Sequence, residues 1–175
     1  MSRVVTWLQH HENRVFSFVN QRIQHQMLDT FFNLITHLGG ATLSILTALC
    51  FALFTEGSLR LAGIQSCIAL AVSHIPVAII KKKYPRLRPY LVIPETHTCK
   101  NPLSDHSFPS GHTTAIFSVL IPFVLMFPWL SAILLPVACL VGMSRMYLGL
   151  HYPSDCLAGA FIGTMTALGV VAFFS

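Results

Sequence analysis

Long apolar runs broken by short polar clusters dominate this chain. From Thr30 to Thr55 no charge occurs in 26 positions, although Asn33, His37 and the Gly39-Gly40 pair make the first half less apolar. Ala41–Phe54 is the firmly apolar part, and the residues before it enter from the interface. Leu61–Ile80 is a second run, containing Gln65, His74 and Pro76; Gly111–Phe127 and Trp129–Met143 follow, separated by Pro128. Cys156–Phe174 closes the chain without a charge. A bilayer-spanning helix needs about 20 predominantly apolar residues. The pattern therefore predicts five spans, near residues 30–55, 61–80, 111–127, 129–146 and 154–174.

The first 26 residues follow a different pattern. Val4, Val5, Leu8, Val15, Phe16, Phe18, Val19 and Ile23 recur among charges at near-helical spacing. That predicts an amphipathic helix over residues 1–26, lying in the membrane interface. The expected fold is all-α: one polytopic helical bundle over residues 1–175, with a single long polar connection at 81–110. No internal repeat or low-complexity segment is visible.

Composition agrees with the pattern. Apolar residues make up 54% of the 175 positions and charged ones 10%, against about 25% charged in soluble domains. Mean hydropathy is +0.66. Five such runs leave too little polar sequence to cover them in water, which argues against an ordinary soluble domain. The net charge of +5, from eleven Lys and Arg against six Asp and Glu, points to anionic lipids or phosphorylated substrates rather than nucleic acid. Cys50, Cys67, Cys139 and Cys156 fall in apolar runs and only Cys99 in a polar one. The odd count and the absence of zinc-like spacing argue against a disulfide framework or a structural metal. The opening MSRVVTWLQHHENRVF lacks the apolar core of a secretory signal.

Five crossings place the N-terminus, the 81–110 connection and residues 145–155 on one membrane face. Three polar clusters meet there. KKKYPRLRP, Lys81 to Pro89, reads either as a basic belt anchoring a helix end or as a phosphate clamp of ammonium and guanidinium groups. In FPSGHTT, Ser110 is a plausible N-cap after Pro109. The following helix start offers unpaired N–H groups to an anion, with Gly111 allowing close approach and His112 in the first turn. The alternative is an ordinary helix start with an interfacial histidine. SRMYLGLHYPSD, Ser144 to Asp155, sets Arg145, His151 and Asp155 around a Tyr-Pro pair. The aspartate could orient the histidine as in hydrolase triads, or both could simply tie two helix ends together.

Taken together, the clusters supply what phosphoryl transfer needs: positive groups, a nucleophile and an acid for the leaving oxygen. Metal binding is the competing use of His and Asp. The surrounding basic residues would repel a divalent cation, so no metal and no cofactor are expected.

In their order along the chain, three segments resemble the signatures of the type 2 phosphatidic acid phosphatase superfamily. Lys81, six residues and Arg88-Pro89 are similar to the first. Pro109-Ser110-Gly111-His112 is similar to the second. Ser144-Arg145, five residues, His151, three residues and Asp155 are similar to the third. The resemblance covers Lys81 to Asp155; the flanking runs agree in hydrophobicity only. It implies a helical membrane phosphatase that hydrolyses lipid phosphates or diphosphates such as undecaprenyl diphosphate, phosphatidylglycerophosphate or phosphatidate. By the same resemblance, His151 would form a phosphohistidine, Asp155 would orient it and His112 would protonate the leaving group. Lys81, Arg88, Ser110, Gly111 and Arg145 would bind the phosphoryl group, without metal.

Some undecaprenyl-diphosphate phosphatases of that family carry aspartate at the position of Gly111, so the glycine bears on substrate. Relatives of this type usually face their active site away from the cytoplasm. Ten of the eleven Lys and Arg lie on the site's face and only Arg60 opposite, which by the positive-inside rule favours the cytoplasm. Several of those charges have a proposed catalytic use, so the expectation is a cell-membrane protein with an extracytoplasmic site. A lipid phosphotransferase using the same phosphohistidine, or a non-enzymatic anion transporter, remains an alternative.

Overall fold

The computed structural model describes residues 3–98, 102 and 104–174; Cys99 lies outside them. The described residues form helices and their connections, without a strand. Helix α1 covers Arg3–Ser17 and runs on through a π-helical turn, Phe18–Arg22. α2 (Gln26–Ile35) continues into a 3₁₀ turn, Thr36–Gly39, before α3 (Ala41–Phe54). α4 is Gly57–Lys83, α5 the short Pro89–Val92, and α6 Gly111–Met126. A 3₁₀ turn at Pro128–Leu130 leads into α7 (Ser131–Tyr147), and α8 is Pro153–Phe174.

α4, Pro128–Tyr147 and α8 are each long and apolar enough to cross a membrane. α2 with its 3₁₀ turn and α3 pass that test only as a pair, bent by 54° at Gly40. α6 has 16 residues, about 24 Å at 1.5 Å per residue, against a hydrocarbon core of about 30 Å. By length and composition alone, three helices can span a membrane, or four counting the bent pair, in a multi-pass bundle. The reason is local: the extended Gly40 breaks the run over 30–55, and Pro109 and Pro128 bound α6 on either side.

α6 occupies the centre, packed on α3, α4, α7 and α8. Thr113, Ala115, Ile116, Val119, Ile121 and Phe123 are all buried on it, so it is enclosed all round, as a helix apolar on every side should be. α8 crosses it almost backbone to backbone. A Cβ on Gly159 would stand 2.6 Å from the Ser110 carbonyl oxygen, and one on Gly163 2.6 Å from that of Thr114. Such small residues let helices approach closely where lipid supplies no hydrophobic drive. Hydroxyls join α4 to α6: Ser66 Oγ lies 2.8 Å from the Val119 carbonyl, and Ser118 Oγ 2.9 Å from Ser73 Oγ.

Large apolar residues cover the outside, among them Phe54, Ile75, Trp129, Leu157 and Phe161. An apolar surface this extensive suits lipid rather than water. Within the first 26 residues, α1 and its π-helical turn cover Arg3–Arg22, and Gln26 already begins α2. Phe16 and Val19 are buried, while Trp7, Leu8, Val15 and Phe18 stay exposed.

Candidate active site

All three polar clusters converge at the end of the bundle where α4 ends and α6 and α8 begin. Ser110 caps α6, its Oγ accepting from the Thr113 N–H at 3.4 Å, and its own N–H donates to the Asp155 carbonyl at 3.0 Å. The starts of α6 and α8 are thereby tied together. A Cβ added to Gly111 would meet no atom within 4 Å, so the helix start is open there. His112 follows in the first turn, with the 3₁₀ turn after α2 packed on it: a Cβ on Gly39 would lie 2.6 Å from the His112 carbonyl.

Arg88, 1% exposed, is held on four sides. Its Nη1 donates to the Leu150 carbonyl at 2.8 Å and lies 3.2 Å from His151 Nε2. Its Nε donates to the Asp105 carbonyl at 2.8 Å and its Nη2 to Asp105 Oδ1 at 2.5 Å. Lys81 bonds the other Asp105 oxygen. Partial burial works to raise the Asp105 pKa, but the hydrogen bonds and charges of Lys81 and Arg88 overcome it and bring it down to about 2.

Arg145, buried in the last turn of α7, donates to Thr36 Oγ1 at 2.6 Å. Its carbonyl accepts from the N–H groups of Leu150 and His151 at 3.0 and 3.2 Å. The turn made by Gly149, at φ +72°, thus delivers His151 beside it. There Nδ1 of His151 faces Asp155 Oδ2 at 3.5 Å, long for a hydrogen bond. Nε2 faces Arg88, a guanidinium that can only donate, so Nε2 holds the lone pair and Nδ1 the proton. Burial pulls the His151 pKa down to about 4, with Asp155 opposing and Arg145 and Arg88 reinforcing. The imidazole is therefore neutral at ordinary pH.

Asp155 is fully buried and well supplied with donors. Oδ2 accepts from the Ser107 hydroxyl and from the Tyr152 N–H at 2.8 Å, and Oδ1 from Arg86 Nη1 at 2.8 Å. Arg86 lies 3.8 Å over the Tyr152 ring and reaches Glu12 Oε2 at 2.7 Å through Nη2. Glu12 Oε1 in turn accepts from the Ser154 N–H at 3.0 Å and from its hydroxyl. A chain of alternating charges, Glu12–Arg86–Asp155, therefore links the N-terminal helix to the buried, neutral His151. Burial works against the Arg86 charge, but Glu12 and Asp155 hold its pKa above the ordinary value.

The structure brings together all eight residues singled out in the sequence. His112 lies within electrostatic reach of Arg145, His151 and Arg88. Sequence reasoning missed Glu12, Arg86, Asp105 and Ser107. Arg86 was visible within the basic run, but nothing in the pattern separated it from its neighbours. Beside His112 an apolar cavity of about 470 Å³ runs between α3, α4 and α6, with Ile45, Leu49, Leu70 and His74 in its wall. A neutral imidazole whose Nε2 lone pair faces Arg88, a carboxylate behind it, two arginines and an open helix start can attack and hold a phosphoryl group.

A profile of the PAP2 superfamily matches residues 62–175, which include all eight residues; Glu12 precedes it. The chain is 34% identical over 111 residues to a protein named bacitracin transport permease protein BcrC from Bacillus licheniformis, covering 63% of this chain and 55% of that protein. It is 29% identical over 106 residues to an undecaprenyl-diphosphatase from Sulfolobus acidocaldarius, covering 60% and 52%. The chain thus spans about half the length of the curated relatives it matches. Among solved structures it is similar in fold to Aquifex aeolicus LpxE, at a TM-score of 0.79 and 24% identity over 91% of this chain and 93% of that one.

Proposed function

Because this chain belongs to the PAP2 superfamily, we propose that it hydrolyses a lipid phosphate or diphosphate through a phosphohistidine on His151. The observation that carries this reading is the buried histidine itself: its lone pair points to Arg88 and its protonated nitrogen to Asp155. Lys81, Arg88, Arg145, Ser110 and the N–H groups at Gly111 hold the phosphoryl oxygens, which displace Asp105 from Lys81 and Arg88. His151 Nε2 attacks phosphorus, and the bond to the lipid oxygen breaks as that oxygen takes a proton from His112. Water then gives a proton to His112 and attacks the phosphohistidine, which frees phosphate and restores the imidazole. Asp155 keeps Nδ1–H in place and offsets the positive charge that develops on the ring.

The lipid tail lies in the cavity between α3, α4 and α6, which starts at His112 and whose wall residues Ile45 and Leu49 are 47% and 43% exposed. The five apolar segments cross the bilayer, α1 lies in the interface, and the site faces away from the cytoplasm of the cell membrane. Transport, the activity in one relative's name, gives no reason for a buried His–Asp pair.

The test is phosphate release by the purified protein in detergent with chelator present, from undecaprenyl diphosphate, phosphatidylglycerophosphate and phosphatidate. At least one substrate is turned over, a phosphate label appears on wild type, and His151→Ala abolishes both while keeping its thermal unfolding profile. Phosphate release by His151→Ala at the wild-type rate refutes the mechanism.

A further inference from the structure

The wall of the cavity beside His112 is apolar almost throughout, which makes His74 conspicuous. It sits on α4 and faces the cavity together with His112. Its Nδ1 lies 2.9 Å from the Leu70 carbonyl, one turn back on the same helix, and 3.5 Å from Ser73 Oγ. A carbonyl oxygen only accepts, so the proton of the neutral ring resides on Nδ1 and Nε2 is left as an acceptor. Among the described residues no protein group donates to Nε2. The helix has fixed the ring's tautomer and left its lone pair without a protein donor, on an exposed residue that lines the cavity.

We propose that His74 forms a subsite that reads a hydrogen-bond donor, a hydroxyl or an amide N–H, on the lipid a short way below its phosphate. His74 precedes Lys81 by seven helical residues, which places it about 10 Å deeper along α4. This is the level of the first part of the tail, not of the head group. A prenyl chain carries no polar atom there, and the ester groups of a simple diacyl lipid carry acceptors only. Either tail, seated in the cavity, expels water from Nε2 and leaves that acceptor unpaired. A tail with a hydroxyl or amide N–H at this depth satisfies it. Discrimination then comes from the stranded acceptor as much as from the bond gained. The inference rests on the reading of the cavity as the lipid path, and it adds to the substrate class a preference for lipids bearing such a donor.

The test compares four lipid phosphates on purified wild type, His74→Leu and His74→Gln: a 3-hydroxyacyl glycerol phosphate, its unhydroxylated twin, an N-acyl amide counterpart, and farnesyl phosphate. Wild type is expected to prefer the hydroxylated or amide substrate over the plain twin by about fivefold in kcat/KM, the size of one neutral hydrogen bond. The two donor-bearing substrates show which donor is read. His74→Leu brings the preference to about one by lowering turnover of the donor-bearing substrates more than that of farnesyl phosphate, while His74→Gln, which keeps an acceptor, retains part of it. Absence of the preference in wild type, or its survival in His74→Leu, overturns the subsite. An equal loss on all four substrates also overturns it, by assigning His74 to helix packing, and leaves the proposed phosphatase standing. Failure of wild type to release phosphate from any lipid sinks both.

Discussion

Replacing Arg86 with Met tests whether the charge chain from the N-terminal helix orients His151, the proposed nucleophile. The substitution preserves the aliphatic stem but removes the bond to Asp155 Oδ1 at 2.8 Å, the bond to Glu12 Oε2 at 2.7 Å and the stacking on Tyr152 at 3.8 Å. Asp155 is fully buried, so no water stands ready to replace the lost donor. Its other oxygen still accepts from Ser107 and Tyr152, which keeps the carboxylate in place but free to rotate about those contacts. A hydrogen bond to a charged group contributes about 1.5–3 kcal/mol. If that free energy serves to hold Asp155 toward His151, kcat falls roughly 10- to 100-fold, at about 1.4 kcal/mol per decade. KM changes little, because Arg86 bonds no group assigned to the phosphoryl oxygens. Arg86→Lys keeps the charge without the planar fork that serves two carboxylates at once, and should fall between. Steady-state phosphate release in detergent gives both constants, and thermal unfolding of the same samples separates catalysis from folding. A folded Arg86→Met variant with wild-type kcat would show that the chain is structural only.

Other outcomes follow from the same geometry. The His151 pKa, lowered to about 4, means that an NMR titration of labelled histidine should find this ring neutral down to well below pH 6. Between pH 6.5 and 4 the unfolded chain binds a proton there that the native state does not, so this group's contribution to stability falls as pH drops through that window; thermal unfolding across it is the check. Asp105 contributes in the same direction at lower pH. Its depressed pKa gives stability that is present above the ordinary carboxylate value and lost as pH falls toward 2. Gly163→Leu forces a side chain against the Thr114 carbonyl, 2.6 Å from the nearest Cβ position. Overpacking of this kind costs about 1–3 kcal/mol or more, and a clear drop in unfolding temperature is expected. Gly111→Asp meets open space instead, so its unfolding temperature should match wild type while its relative rates on diphosphate and monophosphate lipids shift.

Much of the site was legible before any coordinates. His112, His151, Asp155 and the basic residues stood out because polar groups are costly among apolar runs, and their spacing matched three known signatures. Their shared membrane face followed from counting crossings. The number of crossings is not legible in the same way, because hydropathy cannot see that the extended Gly40 turns the second half of a run by 54°. Nor could it see that Asp105, one of few carboxylates nearby, would occupy both Lys81 and Arg88.

The sequence by itself determined which segments are helical and apolar, and which few side chains could do chemistry. Hydrophobic period, helix caps and motif spacing are properties of neighbouring residues. Only the tertiary structure decided how those side chains are paired. Glu12 and Arg86 are 74 residues apart, and Arg86 and Asp155 69, so no local pattern could join them. They meet because α1 packs on α8 and because the glycines of α8 let it close on α6 until the helix starts touch. The tautomer of His151, and with it the direction of its lone pair, depends on a guanidinium 63 positions away. Local residue identity supplied the histidine, and helix packing oriented it.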